Sequence, residues 1–274
     1  MPFEKELSCA LDAARKAGEL ILRDYEAFVP IPNAPVNIST ETDRNSQELI
    51  LQHLHNVFPD DALCAEENTP ALASATRQGR RIWIVDPIDG TRGFAMKNGE
   101  FSVMIGLVEG EEVVVGVVLE PVAGRMTYAT KGGGCWLQTG TAAPVRCHVS
   151  ACAKLEEAAL VQSHSKKKDE ASIAVCAVKP ARVIELYSAG VKMALIARGG
   201  GELYVNIYSR FHDWDICAGD ILVTEAGGRV TTLQGEEVRY NGPNHAQLGG
   251  LLATNSVIHD VAVERMKSTN VRGG

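Results

Sequence analysis

Five acids and one hydroxyl are the residues of this chain whose types and spacing could do chemistry: Asp43, Glu66, Asp86, Asp89, Asp215 and Thr91. Asp86 and Asp89 lie in the stretch from Ile82 to Phe94, Ile-Trp-Ile-Val-Asp-Pro-Ile-Asp-Gly-Thr-Arg-Gly-Phe. Ile82 to Val85 is an apolar, partly β-branched run and reads as a buried strand. Asp86 is expected to end it, because Pro87 has no N–H and cannot continue a central ladder. Asp89, Gly90 and Thr91 then form a tight polar turn. Two carboxylates three residues apart, on a loop leaving a buried strand, can converge on one hard cation. The amides of Gly90 and Thr91 can face an anion if a helix starts there. A cation site beside an anion cradle suggests phosphate chemistry.

Glu66 follows a short strand, Ala62 to Ala65, and Asp215 opens a helix after Trp214. If both reach the Asp86 turn, Glu66, Asp86, Asp89 and Asp215 make an all-oxygen site for two or three magnesium ions. No histidine or cysteine directly adjoins these acids, which disfavours zinc. Such a site hydrolyses a phosphate monoester without a covalent intermediate, by activating water and stabilising the leaving oxygen. Thr91 with Asp43 is the candidate relay for the water's proton. Plainer readings stand beside these. Asp-Pro is a common turn, Glu66-Glu67 suits solvated surface, and an acid at Asp215 is favoured by the helix end alone. No Gly-x-Ser-x-Gly elbow is present, against a serine hydrolase.

The elements that must position these residues follow from periodicity. Residues 3–27 form an amphipathic helix, ended by Pro30, Pro32 and Pro35. A second helix follows Thr40–Arg44 and stops at Pro59. Residues 69–79 make a flexible loop or weak helix, placed to act as a lid. Strands 101–108 and 113–119 form a hairpin, and strands 126–130, 135–137 and 145–149 continue a meander. Gly132-Gly133-Gly134 lacks the lysine and helix of a P-loop and reads as a turn. The composition changes near Ser150. The expected halves are residues 1–149, with most of the metal ligands, and 150–274, with Asp215 and the specificity residues. The second half alternates strands at 159–162, 182–186, 203–206 and 250–253 with helices at 169–177, 188–198 and 214–226. Ser256 caps a last helix, and the tail after Lys267 is polar and frayed.

The string Asp-Pro-Ile-Asp-Gly-Thr resembles the signature of the magnesium-dependent, lithium-sensitive phosphatases that include inositol monophosphatase and 3'(2'),5'-bisphosphate nucleotidase. The resemblance extends to the Thr-Asp before the second helix, Glu66-Glu67, and Trp214-Asp215 running into Thr224-Glu225-Ala226-Gly227-Gly228. It implies an α/β fold, a layered αβαβα sandwich. It implies metal ligation by Glu66, Asp86, the Ile88 carbonyl, Asp89 and Asp215, water activation by Asp43 and Thr91, and phosphate held around Gly90 and Thr91. Asn98 to Val103, Ser163-His164 and Lys192 are similar to segments of the bisphosphate nucleotidases of bacterial sulfur assimilation. Where inositol monophosphatases usually carry a glutamate, seven residues before Asp215, this chain has Tyr208. Tyrosine packs against a base but supplies no carboxylate. His164, Lys192 and Tyr208 are therefore candidate substrate contacts, though Lys192 equally suits a solvated helix face, His164 an ordinary loop and Tyr208 the core edge. The expected substrate is a small phosphorylated molecule, a nucleotide bisphosphate or an inositol phosphate, bound by a monomer or homodimer.

The totals agree with these readings. The chain has 274 residues, 45% of them hydrophobic, enough for a substantial core. A net charge of −7 argues against a nucleic-acid partner, while bound cations can still attract an anionic substrate. No apolar run is long enough for a bilayer, and the early acids do not make a secretory signal. Seven cysteines without a Cys-x-x-Cys pair fit reduced thiols in the cytoplasm. Cys147, His148 and Cys152 lack a second ligand pair for zinc. The Lys166-Lys167-Lys168 run is expected on an exposed helix.

Overall fold

The computed structural model describes residues 2–164, 171–208 and 211–268. Its α-helices and strands begin with α1 (Glu4–Ala27), α2 (Glu41–Val57), β1 (Ala62–Ala65), α3 (Pro70–Ser74), β2 (Arg81–Asp89) and α4 (Thr91–Ala95). A meander of β3 (Ser102–Glu109), β4 (Glu112–Glu120), β5 (Arg125–Thr130), β6 (Gly134–Thr139) and β7 (Val145–Arg146) follows. Then come β8 (Ala159–Gln162), α5 (Ile173–Val178), β9 (Arg182–Glu185), α6 (Ala189–Ala197), β10 (Leu203–Asn206) and β11 (Phe211–His212). The chain continues through α7 (Asp213–Glu225), β12 (Arg229–Thr231), β13 (Ala246–Gln247), β14 (Leu251–Thr254) and α8 (His259–Ser268).

Among the described residues, one sheet has the order β1-β2-β3-β4-β5-β6-β7 and a second the order β12-β14-β10-β8-β9. The first is antiparallel except where β1 runs parallel to β2. Both its faces are buried, which is why β2 is apolar without alternation. Trp83 and Val85 face α1 and α2, while Ile82 and Ile84 face α7. α6 and α7 lie between the two sheets, so α6 is apolar nearly all round, with Val191, Met193, Ala194, Ile196 and Ala197 buried. α5 and α8 cover the outer face of the second sheet. The architecture is a layered αβαβα sandwich.

The depth at which α7 sits is set by the sheet beneath it. A Cβ on Gly116 of β4 would lie 2.6 Å from the Ala218 carbonyl oxygen, and one on Gly106 of β3 would collide with the Cys217 sulfur. Both contacts are closer than a side chain allows, so these two strand glycines admit α7 at backbone distance.

Asp86 does not end its strand. β2 runs on to Asp89, with Asp86 opposite Met104 and Asp89 opposite Ser102. Pro87 and Ile88 thus oppose Val103 alone, a β-bulge that absorbs one residue and accommodates the missing proline N–H. In a regular strand, residues three apart point to opposite faces. The extra residue cancels that. Ile88 turns into the α1/α2 core, and Asp89 joins Asp86 on the other side.

Other expectations change with tertiary context. The turn after Asp89 is the start of α4, entered through Gly90 at φ 88°. Residues 69–79 contain α3, which docks on α2 through buried Leu72 and an Ala71 N–H to Glu48 bond of 2.9 Å. Ser256 is not the cap of α8: it sits at φ 73°, and Asn255 Oδ1 accepts the Ile258 N–H at 3.3 Å before the helix begins at His259. The helix expected at 169–177 is α5, capped by Ser172 on the Val175 N–H, while Asp169 and the Lys166–Lys168 run lie outside the described residues. β12 and the β11–β13 ribbon are too short to announce themselves by periodicity.

Candidate active site

A pocket of about 570 Å³ opens where β2 ends, bounded by the N-termini of α6 and α7 and by the ends of β8 and β10. Glu66, Asp86, Ile88, Asp89, Gly90, Thr91, His164, Lys192, Tyr208 and Asp215 all line it. Asp43 stands one layer behind, bonded to Thr91. The segment Val36–Ser39 contributes to the rim, and residues 69–79 do not. The position expected for a lid is taken by the loop between α1 and α2.

The four acids come from three elements. Glu66 leaves β1, the strand beside β2. Asp86 is buried, and its Oδ1 accepts the Ile88 N–H at 3.1 Å across the bulge. Asp89 accepts from the Ala189 and Gly190 N–H groups at 3.1 and 2.7 Å, and from Ser188. Asp215 is the third residue of α7, and its Oδ2 accepts the His212 N–H at 2.6 Å. It therefore caps its helix and faces the pocket together. The capping reading and the pocket reading do not exclude one another.

The electrostatics are those of crowded acids. Burial, and then repulsion from Glu66, Asp89, Asp215 and Asp43, hold the Asp86 carboxyl well above the usual range. Glu66 is open to the pocket, yet desolvation and then Asp215 push it up to about 8. Asp215 is raised to about 7, by burial first and by Asp89 among its neighbours. Among the described residues, none of the four pocket carboxylates has a lysine or arginine at ion-pair distance. Among the described residues, no three His, Cys, Asp or Glu side chains are gathered tightly enough to hold an ion as they stand. Asp86, Asp89 and Asp215 are each turned toward a backbone donor. Four neighbouring carboxylates with only oxygen to offer still fit a hard divalent cation, which supplies the charge the pocket lacks.

Behind them, Asp43 is fully buried on the first turn of α2. Its Oδ2 accepts from the Thr40 N–H at 2.9 Å and its Oδ1 from Thr91 Oγ1 at 2.8 Å. Burial raises its carboxyl, partly offset by the Thr40 and Thr91 bonds. The Ile88 carbonyl also lies 2.9 Å from Thr91 Oγ1. The hydroxyl has one proton, and ionised Asp43 is the stronger acceptor.

The rest of the pocket lining is aromatic and basic. Lys192 is 1% exposed, so it is no solvated helix residue. Its ammonium donates to Ser163 Oγ at 3.1 Å and to the Tyr187 carbonyl at 3.0 Å, over the Tyr204 ring. Burial lowers it to about 8, against the opposing pull of Asp89, Glu100 and Asp215. His164 Nε2 lies 2.7 Å from Glu100, and its ring lies against Tyr187 with centroids 4.2 Å apart. The Arg92 guanidinium stands 5.3 Å from the centre of the same Tyr187 ring. Tyr208 is 62% exposed at the mouth. Arg92, Tyr187 and Ser188 are not among the expected site residues, and Glu100 and Ser102 enter only as part of the Asn98–Val103 resemblance. Of the first three, Ser188 alone carries a signal, as the polar residue before an apolar helical run.

Residues 4–269 match the model of the inositol monophosphatase family. The chain belongs to that family. Its chemistry is phosphate-ester hydrolysis. The fructose-1,6-bisphosphatase/inositol-1-monophosphatase of Thermotoga maritima is 33% identical over 262 residues, covering 94% of each chain. The 3'(2'),5'-bisphosphate nucleotidase CysQ of Salmonella typhimurium is 31% identical, covering 83% of this chain and 90% of that one. Among solved structures of the family, a Thermotoga maritima IMPase superposes with a TM-score of 0.80 at 30% identity, over 97% of this chain and 98% of that one. The Anabaena inositol monophosphatase, 24% identical with a TM-score of 0.79 over 98% and 97% of the two chains, shares the fold. No helix among the described residues is long and apolar enough to cross a membrane.

Proposed function

We propose that this phosphatase removes the 3'-phosphate of adenosine 3',5'-bisphosphate, yielding AMP and inorganic phosphate, in the cytoplasmic setting of sulfur assimilation. The observation that carries the proposal is the make-up of one pocket. Four acids, Arg92 and Lys192 line it together with Tyr187, Tyr204, Tyr208 and Phe211. A substrate suited to all of it has a scissile phosphate, a second anionic group and a flat apolar part. Inositol phosphates lack the flat part, and Tyr208 offers no carboxylate to a polyol.

Glu66, Asp86, Asp89, Asp215 and the Ile88 carbonyl would hold two or three magnesium ions. When bound, these supply Lewis acidity, a water of lowered pKa and charge for the leaving oxygen. Thr91 donates its proton to Asp43, which leaves its oxygen lone pairs to accept the proton of the attacking water. Asp43, raised by burial, is suited to receive the relayed proton. The Gly90 and Thr91 backbone fixes the scissile phosphate. Lys192 has three donors, and the bonds to Ser163 and Tyr187 leave one for an anionic group. His164 and Tyr208 flank the remainder of the substrate.

A broader range of monoesters is the second reading, favoured by the Thermotoga relative that is named for both fructose 1,6-bisphosphate and inositol 1-phosphate hydrolysis. Phosphate release with magnesium, compared across adenosine 3',5'-bisphosphate, inositol 1-phosphate and fructose 1,6-bisphosphate, separates the two. The nucleotide is expected to show the highest kcat/KM, and lithium to inhibit its turnover. Faster hydrolysis of the inositol or sugar ester would overturn the nucleotidase assignment.

A further inference from the structure

Asp89 uses its two carboxylate oxygens unequally. Oδ2 accepts from the Gly190 N–H at 2.7 Å, from Ser188 Oγ, and from Ser102 Oγ at 3.3 Å. Oδ1 accepts from one donor, the Ala189 N–H at 3.1 Å. A carboxylate offers about four lone-pair directions, two on each oxygen. Oδ2 is therefore saturated, and Oδ1 has room for one more partner.

Two of the three donors on Oδ2, and the one on Oδ1, belong to the start of α6. Ala189 and Gly190 are its first residues, and their N–H groups have no acceptor within the helix. Ser188 is its N-cap, accepting the Val191 N–H at 2.9 Å while donating to Asp89. Ser102 on β3 closes a triangle, with its Oγ 3.0 Å from that of Ser188. Asp89, Ser102 and Ser188 are all buried. One turn along α6 stands Lys192, in the wall of the same pocket.

We infer that Ser188 and Ser102 are positioning residues: they pin Asp89 Oδ2 between α6 and β3, so that Oδ1 is the oxygen presented to a divalent cation. The inference rests on the magnesium-site reading above. Without the pin, the carboxylate can turn about its own axis, and binding a cation must first order it. Groups that orient a metal ligand typically change metal affinity by about 10- to 100-fold when removed.

The test is magnesium titration of the metal-stripped protein, read by calorimetry and by thermal shift. Half-saturating magnesium is expected to rise about tenfold in Ser188→Ala and about threefold in Ser102→Ala, which loses the longer bond. Ser188→Thr keeps the hydroxyl and is expected to bind nearly as the wild type does. In turnover assays, excess magnesium should restore most of the kcat of Ser188→Ala, which a merely loosened helix would not show. Unchanged or tighter magnesium binding in Ser188→Ala overturns the inference. If that variant does not fold, unchanged binding in Ser102→Ala overturns it instead. A wild-type protein that shows no magnesium response would remove the metal-site reading and this inference with it, whereas a responding wild type matched by its variants removes this inference alone.

Discussion

Thr91 and Asp89 are two residues apart and face different tasks because Gly90 lies between them. At φ 88° the backbone turns left-handed, and a Cβ there would lie 2.8 Å from the Glu100 carbonyl oxygen. The turn sends Asp89 toward α6 and Thr91 back toward Asp43. Thr91→Ala is expected to lower kcat by about 100-fold or more, with KM changed far less, and Thr91→Ser to recover most of it. Steady-state kinetics with magnesium in excess decide this, and a wild-type kcat in Thr91→Ala would remove the relay. Asp89→Asn should nearly abolish turnover. The amide keeps the size, but it loses the charge and sets an NH2 group where the oxygens now accept from α6. Near-normal phosphate release from that variant would take Asp89 out of the site.

At the level of elements, α7 determines where Asp215 stands, and α7 is tied at its middle and at its C-terminus. Its middle, at Cys217, Ala218 and Ile221, docks on Gly106 and Gly116, as the collisions a Cβ would cause there demonstrate. At its C-terminus, the Glu225 carboxylate accepts the Gly132 and Gly134 N–H groups at 2.7 and 2.8 Å. The triple glycine that first suggests a phosphate loop is thus an anion nest filled by the protein's own side chain. Gly116→Val should cost about 2 kcal/mol through overpacking and weaken magnesium binding, because α7 must lift. Glu225→Gln should cost about 1 kcal/mol with kcat unaltered, because the change lies at the far end of the helix. Denaturant melts and magnesium titrations check both, and a Gly116→Val protein with wild-type stability would contradict the packing account.

For the whole molecule, the pocket acids make stability depend on pH and on metal together. Folded, metal-free Glu66 and Asp215 hold protons up to about pH 8 and 7, against ordinary values of 4.5 and 3.8. Their contribution is fully favourable below the ordinary values and is lost as pH rises through the folded ones. His259 has the opposite sign. It is buried between Thr231 Oγ1 and Thr254 Oγ1, and burial lowers it to about 4. Its contribution is present above about pH 6.5 and is lost as pH falls toward 4. Magnesium must displace the protons of the acids, so its rise in Tm should be larger at pH 8.5 than at pH 5.5. Thermal melts of stripped and magnesium-saturated protein give the comparison, and equal rises at the two pH values would contradict it.

Local pattern alone determined a good deal of this protein. The apolar run Ile82–Val85 reads as a buried strand, the spacing from Leu7 to Ile21 as a helix, and the acids and turn of Asp-Pro-Ile-Asp-Gly-Thr as phosphate chemistry, since each signal lies within a few turns or strand residues. The layered α/β sandwich could be expected from the resemblance those residues carry. Tertiary structure alone decided that Asp86 and Asp89 share a side, because the bulge depends on pairing with β3. It also decided that Ser188, 99 residues from Asp89, holds that carboxylate, that Lys192 is buried, and that the glycine nest belongs to Glu225. Such contacts join residues far apart in the chain. They form only when the two sheets close on α6 and α7, and no short-range periodicity encodes which distant donor will meet which acceptor.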